Sequence, residues 1–400
     1  MPTLLDKVNN AITALKNGDC IIVTDDSNRE NEADLIIAAE HITAEKIAFF
    51  LQHTSGIICL ALDASKINQL QLAPMVQNNK SCYQTPFTVS IEAKEGITTG
   101  VSASDRAKTI LTAISLTAKP EDLVQPGHIF PLHAQPNGVL QRAGHTEASV
   151  DLVKLANLQP GAVLCELMHA NGEMMRDEAL NQFAMQHHFQ KISIQDIINY
   201  RLLTENNIIP GCVAALPSKY SADFKCLAIN EIHTNRQHLV VYHNVKNDCL
   251  VRIHSACLTG DAFHSLRCDC QAQLDYSLTQ IADQGGMVIY LDQEGRGIGL
   301  SNKINAYALQ DKGHDTYSAN VALGLPVDAR DYAIAAQIIK HFALKSIKLL
   351  SDNPHKISTL KSHGIDVEQV ILPQFVNEHN QSYIHCKTHF HAEVLRTYDV

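Results

Sequence analysis

Two blocks of alternating strand-like and helix-like segments, separated by a stretch without periodicity, constrain the fold of this chain most. Around Thr204–Pro217 the pattern gives way to Glu-Asn-Asn, Pro-Gly and Leu-Pro, which are typical of a domain boundary. The chain has 400 residues, and domains average about 150 residues. The sequence therefore predicts two domains, which we place at residues 1–202 and 203–400.

The first block mixes helices and strands. Apolar residues at steps of three and four predict a helix over 3–16, and the β-rich run Cys20–Thr24 predicts a strand. The alternation from Phe87 to Ala93 predicts another strand. Further strands are expected at 35–39 and 57–62, with helices at 44–51 behind the capping residue Thr43, at 104–113, after Thr146, at 176–188 and at 194–203. This pattern predicts a mixed α/β or α+β domain.

The second block alternates more regularly. Strands are expected at 238–245, 250–254, 287–291, 347–350 and 367–372, and helices at 273–283, 304–312 and 331–342. This alternation predicts an α/β domain.

Composition excludes several classes of protein. The chain is 45% hydrophobic and 18% charged, so it predicts globular domains, and with a net charge of −10 and no basic tract it predicts no nucleic-acid partner. No apolar run reaches the roughly 18–20 residues of a membrane span, and Asp6-Lys7 interrupts any signal-peptide core. We therefore expect no membrane partner and a cytoplasmic location. The odd number of cysteines, 11, does not suggest a secreted disulfide framework.

An acidic loop follows the strand Cys20–Thr24. Asp25–Asp34 holds five carboxylates around Arg29, a density that repels itself unless a cation intervenes. Oxygen ligands of this kind suit Mg²⁺ or Mn²⁺. A solvated acidic loop is the alternative interpretation.

Two further segments lie at the starts of predicted helices, and each contains small residues and an arginine. They are Thr98–Arg106 and Arg142–Glu147. Free backbone N–H groups at a helix start, next to an arginine, are suited to a phosphate. Together the two segments favour an anionic sugar as ligand.

These segments resemble 3,4-dihydroxy-2-butanone 4-phosphate synthase over nearly all of residues 1–202. The motifs that carry the resemblance are Asp25–Asp34, Phe87–Ser90, Thr98–Arg106, Pro126–Leu132, Arg142–Glu147 and Val163–Glu166. The resemblance implies a homodimeric, Mg²⁺-dependent α+β enzyme that converts ribulose 5-phosphate into dihydroxybutanone phosphate and formate.

The resemblance also implies roles for individual residues. Glu30 and His145 would hold the metal, and His128 and Glu166 would be catalytic. Glu166 would also contact the sugar phosphate, together with Arg29, Glu30, Asp34, Arg142, Ala143, Gly144, His145 and Thr146. One departure is Ala33, where the family usually has glycine; if that position requires a positive φ, alanine is strained.

Three cysteines in the second block have the spacing of a metal site. Cys257, Cys268 and Cys270 form a Cys-x10-Cys-x-Cys pattern, with the charged residues Arg267 and Asp269 on either side of Cys268. A structural zinc site takes four protein ligands, whereas three leave the fourth position for water, as in catalytic zinc sites. The pattern predicts a Zn²⁺ site that activates water.

A glycine-rich turn follows the predicted strand 287–291. Tyr290–Leu300 contains Gly-x-Gly-x-Gly, which does not match the spacing of a dinucleotide-binding fold. A phosphate-binding turn with Arg296 as a clamp is the interpretation we retain.

These features resemble GTP cyclohydrolase II over about residues 235–372, and the domain order is that of bifunctional riboflavin biosynthesis proteins. The resemblance implies that GTP is converted into a diaminopyrimidinone ribosylamino phosphate, formate and pyrophosphate. It assigns Asp328 as proton acceptor and Arg330 as nucleophile. Because a guanidinium is essentially always protonated, we favour a phosphate-handling role for Arg330. The implied GTP contacts are Arg252, Ile253, His254, Ser255, Ala256, Gln273, Glu294, Gly295, Arg296, Thr316, Ser351 and Lys356.

Several positions of the second block depart from common family usage. They are Ala256, Gln271, Asp292, Asn305 and Ser351-Asp352. These departures leave open the alternative that only the synthase is active and that the second domain is a silent regulatory or dimerisation module. A zinc module that binds nucleic acid is disfavoured by the charge and by the count of three thiols. The histidine-containing stretch 377–400 is expected to be a flexible surface tail.

Overall fold

The computed structural model describes residues 3–27, 29–325, 328, 330–381 and 383–385. Its residues separate into two compact units, Met1–Thr204 and Glu205–Val400. Among the described residues, no helix combines the length and apolar character that crossing a membrane requires.

The first unit contains a seven-stranded sheet in the order β4-β5-β3-β6-β2-β1-β7, in the part of the chain that the structure describes. Its strands are β1 Ile21–Thr24, β2 Ala33–Ala38, β3 Cys59–Leu62, β4 Ile91–Ala93, β5 Leu123–His133, β6 Gly161–Glu166 and β7 Gln190–Ser193. Its helices are α1 Leu4–Lys16, α2 Ala44–His53, α3 Ala64–Gln69, α4 Ala103–Ile114, α5 His145–Leu155, α6 Asp177–His187 and α7 Ile194–Thr204. The strand pairs are mixed: β1 is antiparallel to β2 and parallel to β7.

Alternation along the strands builds a separate core on each face of this sheet. Ile22 and Leu35 pack with α2, α3, α4 and α6, whereas Ile21 and Ile36 pack with α1, α5 and α7. Successive side chains of a strand point to opposite faces, so both faces are covered by helices. The predicted α+β class is confirmed.

The second unit is built on a larger mixed sheet. The main path of its strands runs β15-β14-β12-β13-β11-β10-β8, and β9 pairs with β10. The strands are β8 Ile208–Pro210, β9 Ala214–Ala215, β10 Lys225–Glu231, β11 Gln237–His243, β12 Leu250–Ser255, β13 Gly286–Leu291, β14 Ser346–Leu350 and β15 Asp366–Val370. The helices are α8 Leu258–Asp261, α9 Cys270–Gln284, α10 Leu300–Gln310, α11 Thr316–Ala322, α12 Ala333–His341 and α13 Pro354–Ser362. Strands β13, β12, β14 and β15 are parallel neighbours, as the α/β prediction requires.

Local predictions differ from the structure at two places that matter for the sites. The expected strand Phe87–Ala93 is regular only at Ile91–Ala93, because Phe87 and Thr88 form isolated bridges. The eleven-residue strand β5 was not predicted, because prolines and a glycine interrupt its alternation. Thr43 caps α2 as expected, since its side chain accepts a hydrogen bond from the backbone N–H of Lys46.

The backbone conformation at Ala33 is compatible with alanine. Ala33 begins β2 and pairs with Thr24 of β1, and it is buried. Among the described residues of this loop, the positive φ belongs to Asn31, at 54°. An extended alanine carries no backbone strain.

Two candidate metal sites

The acidic loop and the start of α5 meet in the first unit. Ligand atoms of Asp25, Glu30 and His145 lie within 4.8 Å of one another, and Nδ1 of His145 is 3.6 Å from a Glu30 oxygen. The strand pair β1–β2 holds both ends of the loop, and α5 supplies the histidine. Asp25 was not among the predicted ligands, although its position in the acidic run was noted.

The charges around this cluster suit a cation. Asp34 is buried, and burial together with the neighbouring carboxylates raises its pKa to about 7, despite the opposing effect of His145. Burial lowers the pKa of His145, but Asp34, Glu30 and Asp25 outweigh it and raise the value to about 9. Two carboxylates and an imidazole form a donor set typical of Mg²⁺ or Mn²⁺.

An open helix start lies beside the cluster. The residue before α5 is Gly144, and no side chain caps the helix there. Arg142, next to it, forms a 2.6 Å ion pair with Glu147 and donates to the backbone oxygen of Tyr83. Arg29 pairs with Asp25 at 3.0 Å and with Glu30. The two arginines are thus held at the site by carboxylates, within reach of a phosphate.

The two predicted catalytic residues of this unit have different surroundings. Glu166 ends β6 opposite Asp34 of β2, and the hydroxyl of Ser55 donates to it at 2.6 Å. His128 lies on β5, and its Nδ1 is 2.7 Å from Glu92 of β4. Ser55 and Glu92 were not predicted; the alternating run Phe87–Ala93 contained Glu92, but gave no reason to pair it with a histidine.

The remaining predicted sugar contacts lie at the start of α5. Ala143 and Gly144 precede the helix, and Thr146 is buried in its first turn. With Arg142 and His145 they are consecutive residues around the helix start, where His145 and Thr146 are buried.

The three predicted cysteine ligands meet in the second unit. The sulfur atoms of Cys257, Cys268 and Cys270 lie within 4.8 Å of one another, and those of Cys257 and Cys268 are 3.7 Å apart. Gly260 leaves room for them, because an added Cβ would lie 2.9 Å from the Cys268 sulfur. Three convergent thiols suit Zn²⁺ with an open fourth position.

A lysine that the sequence analysis did not single out completes this cluster. Nζ of Lys303 is 3.1 Å from the Cys257 sulfur and 2.7 Å from Glu294. Hydrogen bonds from the other two thiols and the charge of Lys303 lower the pKa of Cys257. Glu294 also accepts from the backbone N–H of Leu258, so it fixes the loop that carries Cys257.

Two cavities adjoin the cysteines. One, of about 530 Å³, contains the three cysteines together with Ala256, Glu294, Gly295 and Lys303, a size typical of ligand sites. The second is smaller and basic, lined among others by Arg252, Arg330, Lys356, His254 and Ser351. Of the residues that the structure describes, five line both cavities: Ser255, Cys270, Arg296, Arg330 and Tyr383.

Most predicted GTP contacts face these cavities. Arg252 donates to Gln273 at 2.6 Å, and Lys356 donates to the backbone oxygen of Ile253 at 2.7 Å. Arg330 forms a two-point ion pair with Asp328. Burial lowers the pKa of Arg330, but the neighbouring Tyr332 and the pairing with Asp328 outweigh it and raise that pKa. Ile253 itself is buried in the core, and the side chain of Thr316 lies outside what the structure describes.

Only some of the departures from family usage bear on the cavities. Ala256, Ser351 and Asp352 line them, whereas Gln271, Asp292 and Asn305 are not among the lining residues. Gln271 donates to Asp275, and Asp292 is exposed, with its backbone N–H bonded to His238.

An α+β unit and an α/β unit, each with a metal-ligand cluster beside a phosphate-compatible surface, define a two-domain, metal-dependent enzyme. Family models match both: 3,4-dihydroxy-2-butanone 4-phosphate synthase over residues 9–200 and GTP cyclohydrolase II over residues 212–371. The chain belongs to the family of bifunctional riboflavin biosynthesis proteins, which combine a lyase and a hydrolase.

Full-length relatives agree with this assignment. The riboflavin biosynthesis protein RibBA of Aquifex aeolicus is 47% identical over 388 residues, 95% of each chain. That of Chlamydia trachomatis is 44% identical over 389 residues, 95% of this chain and 91% of the relative. The crystal structure of RibBX, a two-domain 3,4-dihydroxy-2-butanone 4-phosphate synthase from A. baumannii, matches with a TM-score of 0.69 and 32% identity, over 92% of this chain and 99% of that one.

Proposed function

We propose that residues 1–202 convert ribulose 5-phosphate into 3,4-dihydroxy-2-butanone 4-phosphate and formate. The observation that carries this proposal is the cluster of Asp25, Glu30 and His145 beside the uncapped start of α5. The phosphate would bind at the helix start with Arg142 and Arg29, and the ketose oxygens would face the cluster. A bound Mg²⁺ or Mn²⁺ would stabilise negative charge on those oxygens.

Proton transfer in this site falls to His128 and Glu166. The contact with Glu92 places a proton on Nδ1 of His128 and leaves Nε2 as the acceptor of a substrate proton. Glu166 is held by the Ser55 hydroxyl, close to Asp34. Loss of a proton next to the ketone gives an enediolate, and the two groups can then return protons during rearrangement.

The second domain, residues 203–400, is proposed to convert GTP into 2,5-diamino-6-ribosylamino-4(3H)-pyrimidinone 5′-phosphate, formate and pyrophosphate. This proposal is carried by the pair of cavities that share Arg296 and Arg330, one basic and one with three thiols. Arg252, Lys356 and Arg296 would hold the triphosphate in the basic cavity, which directs the base toward the thiols. A bound Zn²⁺ would act as Lewis acid and activate water.

Arg330 is proposed as a phosphate-handling residue. Its guanidinium is paired with Asp328 and lines both cavities, a position that suits the phosphate nearest the ribose. A raised pKa keeps it protonated, which opposes a role as nucleophile. Asp328 keeps the role of proton acceptor that the family resemblance implies.

Formate release from each substrate tests both proposals. The purified chain, loaded with Mg²⁺ and Zn²⁺, should release formate from ribulose 5-phosphate, and formate with pyrophosphate from GTP. Chelation followed by selective return of one metal should restore the corresponding reaction. A zinc-loaded protein that binds GTP without releasing formate would overturn the cyclohydrolase proposal and favour the silent module. We also propose that the chain forms a homodimer, as the resemblance to the synthase family implies; light scattering should give the mass of two chains.

A further inference from the structure

The C-terminal segment beyond β15 returns to the cavities of the second unit. We use this name for residues 372–385, of which the structure describes 372–381 and 383–385. Leu372 is buried and lines the basic cavity, and the ring of Phe375 lies 6.1 Å from that of Tyr276 on α9. The segment lies outside the residues that match GTP cyclohydrolase II. The predicted flexible surface tail began at residue 377; the prediction is wrong for Asn380, which is fully buried, and for Tyr383, which lines both cavities, whereas His389 and His391 lie outside the described residues.

A buried asparagine fixes the path of this segment. Asn380 is fully buried, its side-chain amide donates to the backbone oxygen of Phe375 at 2.9 Å, and its side-chain oxygen accepts from the N–H of Asn377 at 2.8 Å. Its backbone oxygen accepts from Ile384 at 2.9 Å. These bonds satisfy the polar groups of a turn that would otherwise be costly to bury. The turn carries Tyr383 to a defined place.

Tyr383 lies where the two cavities meet. It lines both, as do Arg296 and Arg330. The guanidinium carbon of Arg296 is 5.9 Å from the centre of the tyrosine ring, within the range of a cation–π contact. A nucleotide that spans the basic cavity and the thiol cavity must pass this ring.

We propose that Tyr383 is a substrate-contacting residue, and that its ring packs against bound GTP between the triphosphate and the base. This inference rests on the proposed cyclohydrolase activity. Aromatic side chains stack on nucleobases of any identity, because every base has an aromatic face. The ring of Tyr383 already contacts the guanidinium of Arg296, which orients it. The C-terminal segment thereby contributes a wall of the substrate site.

A tryptophan reporter tests the contact directly. The chain contains no tryptophan, so Tyr383→Trp introduces a single indole, and Gln381→Trp places one on an exposed position of the same segment. Rapid mixing of each zinc-loaded protein with GTP should give a saturable fall in fluorescence for Tyr383→Trp, because stacked guanine quenches indole. Gln381→Trp should not respond. Equal responses, or no response at position 383, would overturn the inference.

Steady-state kinetics distinguish a Tyr383 side chain that contacts the substrate from one that obstructs the site. Tyr383→Ala should raise KM for GTP about tenfold and leave kcat within about threefold, with Tyr383→Phe close to the parent. Zinc content serves as the check that the variant unit is folded. A higher kcat/KM in Tyr383→Ala would mean that the segment obstructs the site, and an unchanged KM would mean no contact. The parent protein is assayed first: if it releases no formate from GTP, the proposed function fails, and not this inference alone.

Discussion

Glu92 holds His128 from a neighbouring strand: the carboxylate of Glu92 on β4 lies 2.7 Å from Nδ1 of His128 on β5. Glu92 is buried, whereas the imidazole is 43% exposed. The carboxylate selects the tautomer with a proton on Nδ1. The position of the Glu92 carboxylate also accounts for glycine at position 100, because a Cβ there would lie 2.1 Å from Glu92 atoms.

Replacement of Glu92 by glutamine should slow the synthase by about a hundredfold in kcat, with little change in KM, because the amide no longer selects the tautomer that leaves Nε2 basic. Formate release from ribulose 5-phosphate measures this. Glu95→Gln, at an exposed position two residues after β4, is the matched control. An equal loss in both variants would mean that the pairing with His128 has no catalytic role.

Replacement of Cys268 by serine should remove zinc from the second unit and abolish formate release from GTP, since only two thiolates remain. The reaction with ribulose 5-phosphate should be unchanged. Metal analysis and both assays check this, with the exposed Cys212→Ser as control. Full zinc content in Cys268→Ser would contradict the assigned ligand set.

Replacement of Lys303 by glutamine should weaken zinc binding about tenfold, because Lys303 donates to the Cys257 sulfur and orients Glu294. Competition with a chromogenic chelator measures the affinity without relying on turnover. Lys312→Gln, at an exposed position beyond the same helix, should bind zinc as the parent does. Identical affinities for both variants would show that Lys303 does not support the site.

Replacement of Arg201 by methionine should destabilise the first unit by about 3 kcal/mol, because it leaves Asp151 buried and unpaired. Arg201 on α7 is 2.8 Å from Asp151 on α5, and Asp151 also accepts from the N–H of Val139. Gly138, at φ 58°, permits this turn, since a Cβ there would collide with the Asp151 carboxylate. The urea concentration that halves synthase activity measures the effect, with exposed Lys16→Met as control.

This destabilisation should grow with pH. Burial raises the pKa of Asp151 even though Arg201 opposes it, so loss of Arg201 raises that pKa further. Between the ordinary carboxyl pKa and the raised pKa of the folded variant, Asp151 is ionised in the unfolded chain but protonated in the folded one. The free energy of unfolding of the variant therefore falls as the pH rises through this interval. Arg201→Met should therefore lose more stability at pH 8 than at pH 5. The reverse trend would mean that Asp151 stays ionised in the variant.

Periodicity, spacing and family motifs were enough to predict the two-domain organisation, the class of each domain and the residue types of both candidate metal clusters. These follow from local signals: periodicity is read along one element, and Cys257, Cys268 and Cys270 stand close together in the chain. The acidic run also lies within one loop, so Glu30 could be assigned by motif.

Contacts between residues far apart in the chain could be seen only in the three-dimensional packing. Glu92 and His128 are 36 residues apart, and they pair because β4 and β5 are neighbours in the sheet. Lys303 reaches Cys257 from another helix, and Tyr383 reaches Arg296 from a segment with no family motif. Such contacts depend on how strands and helices pack, and no periodicity or spacing within one element encodes them.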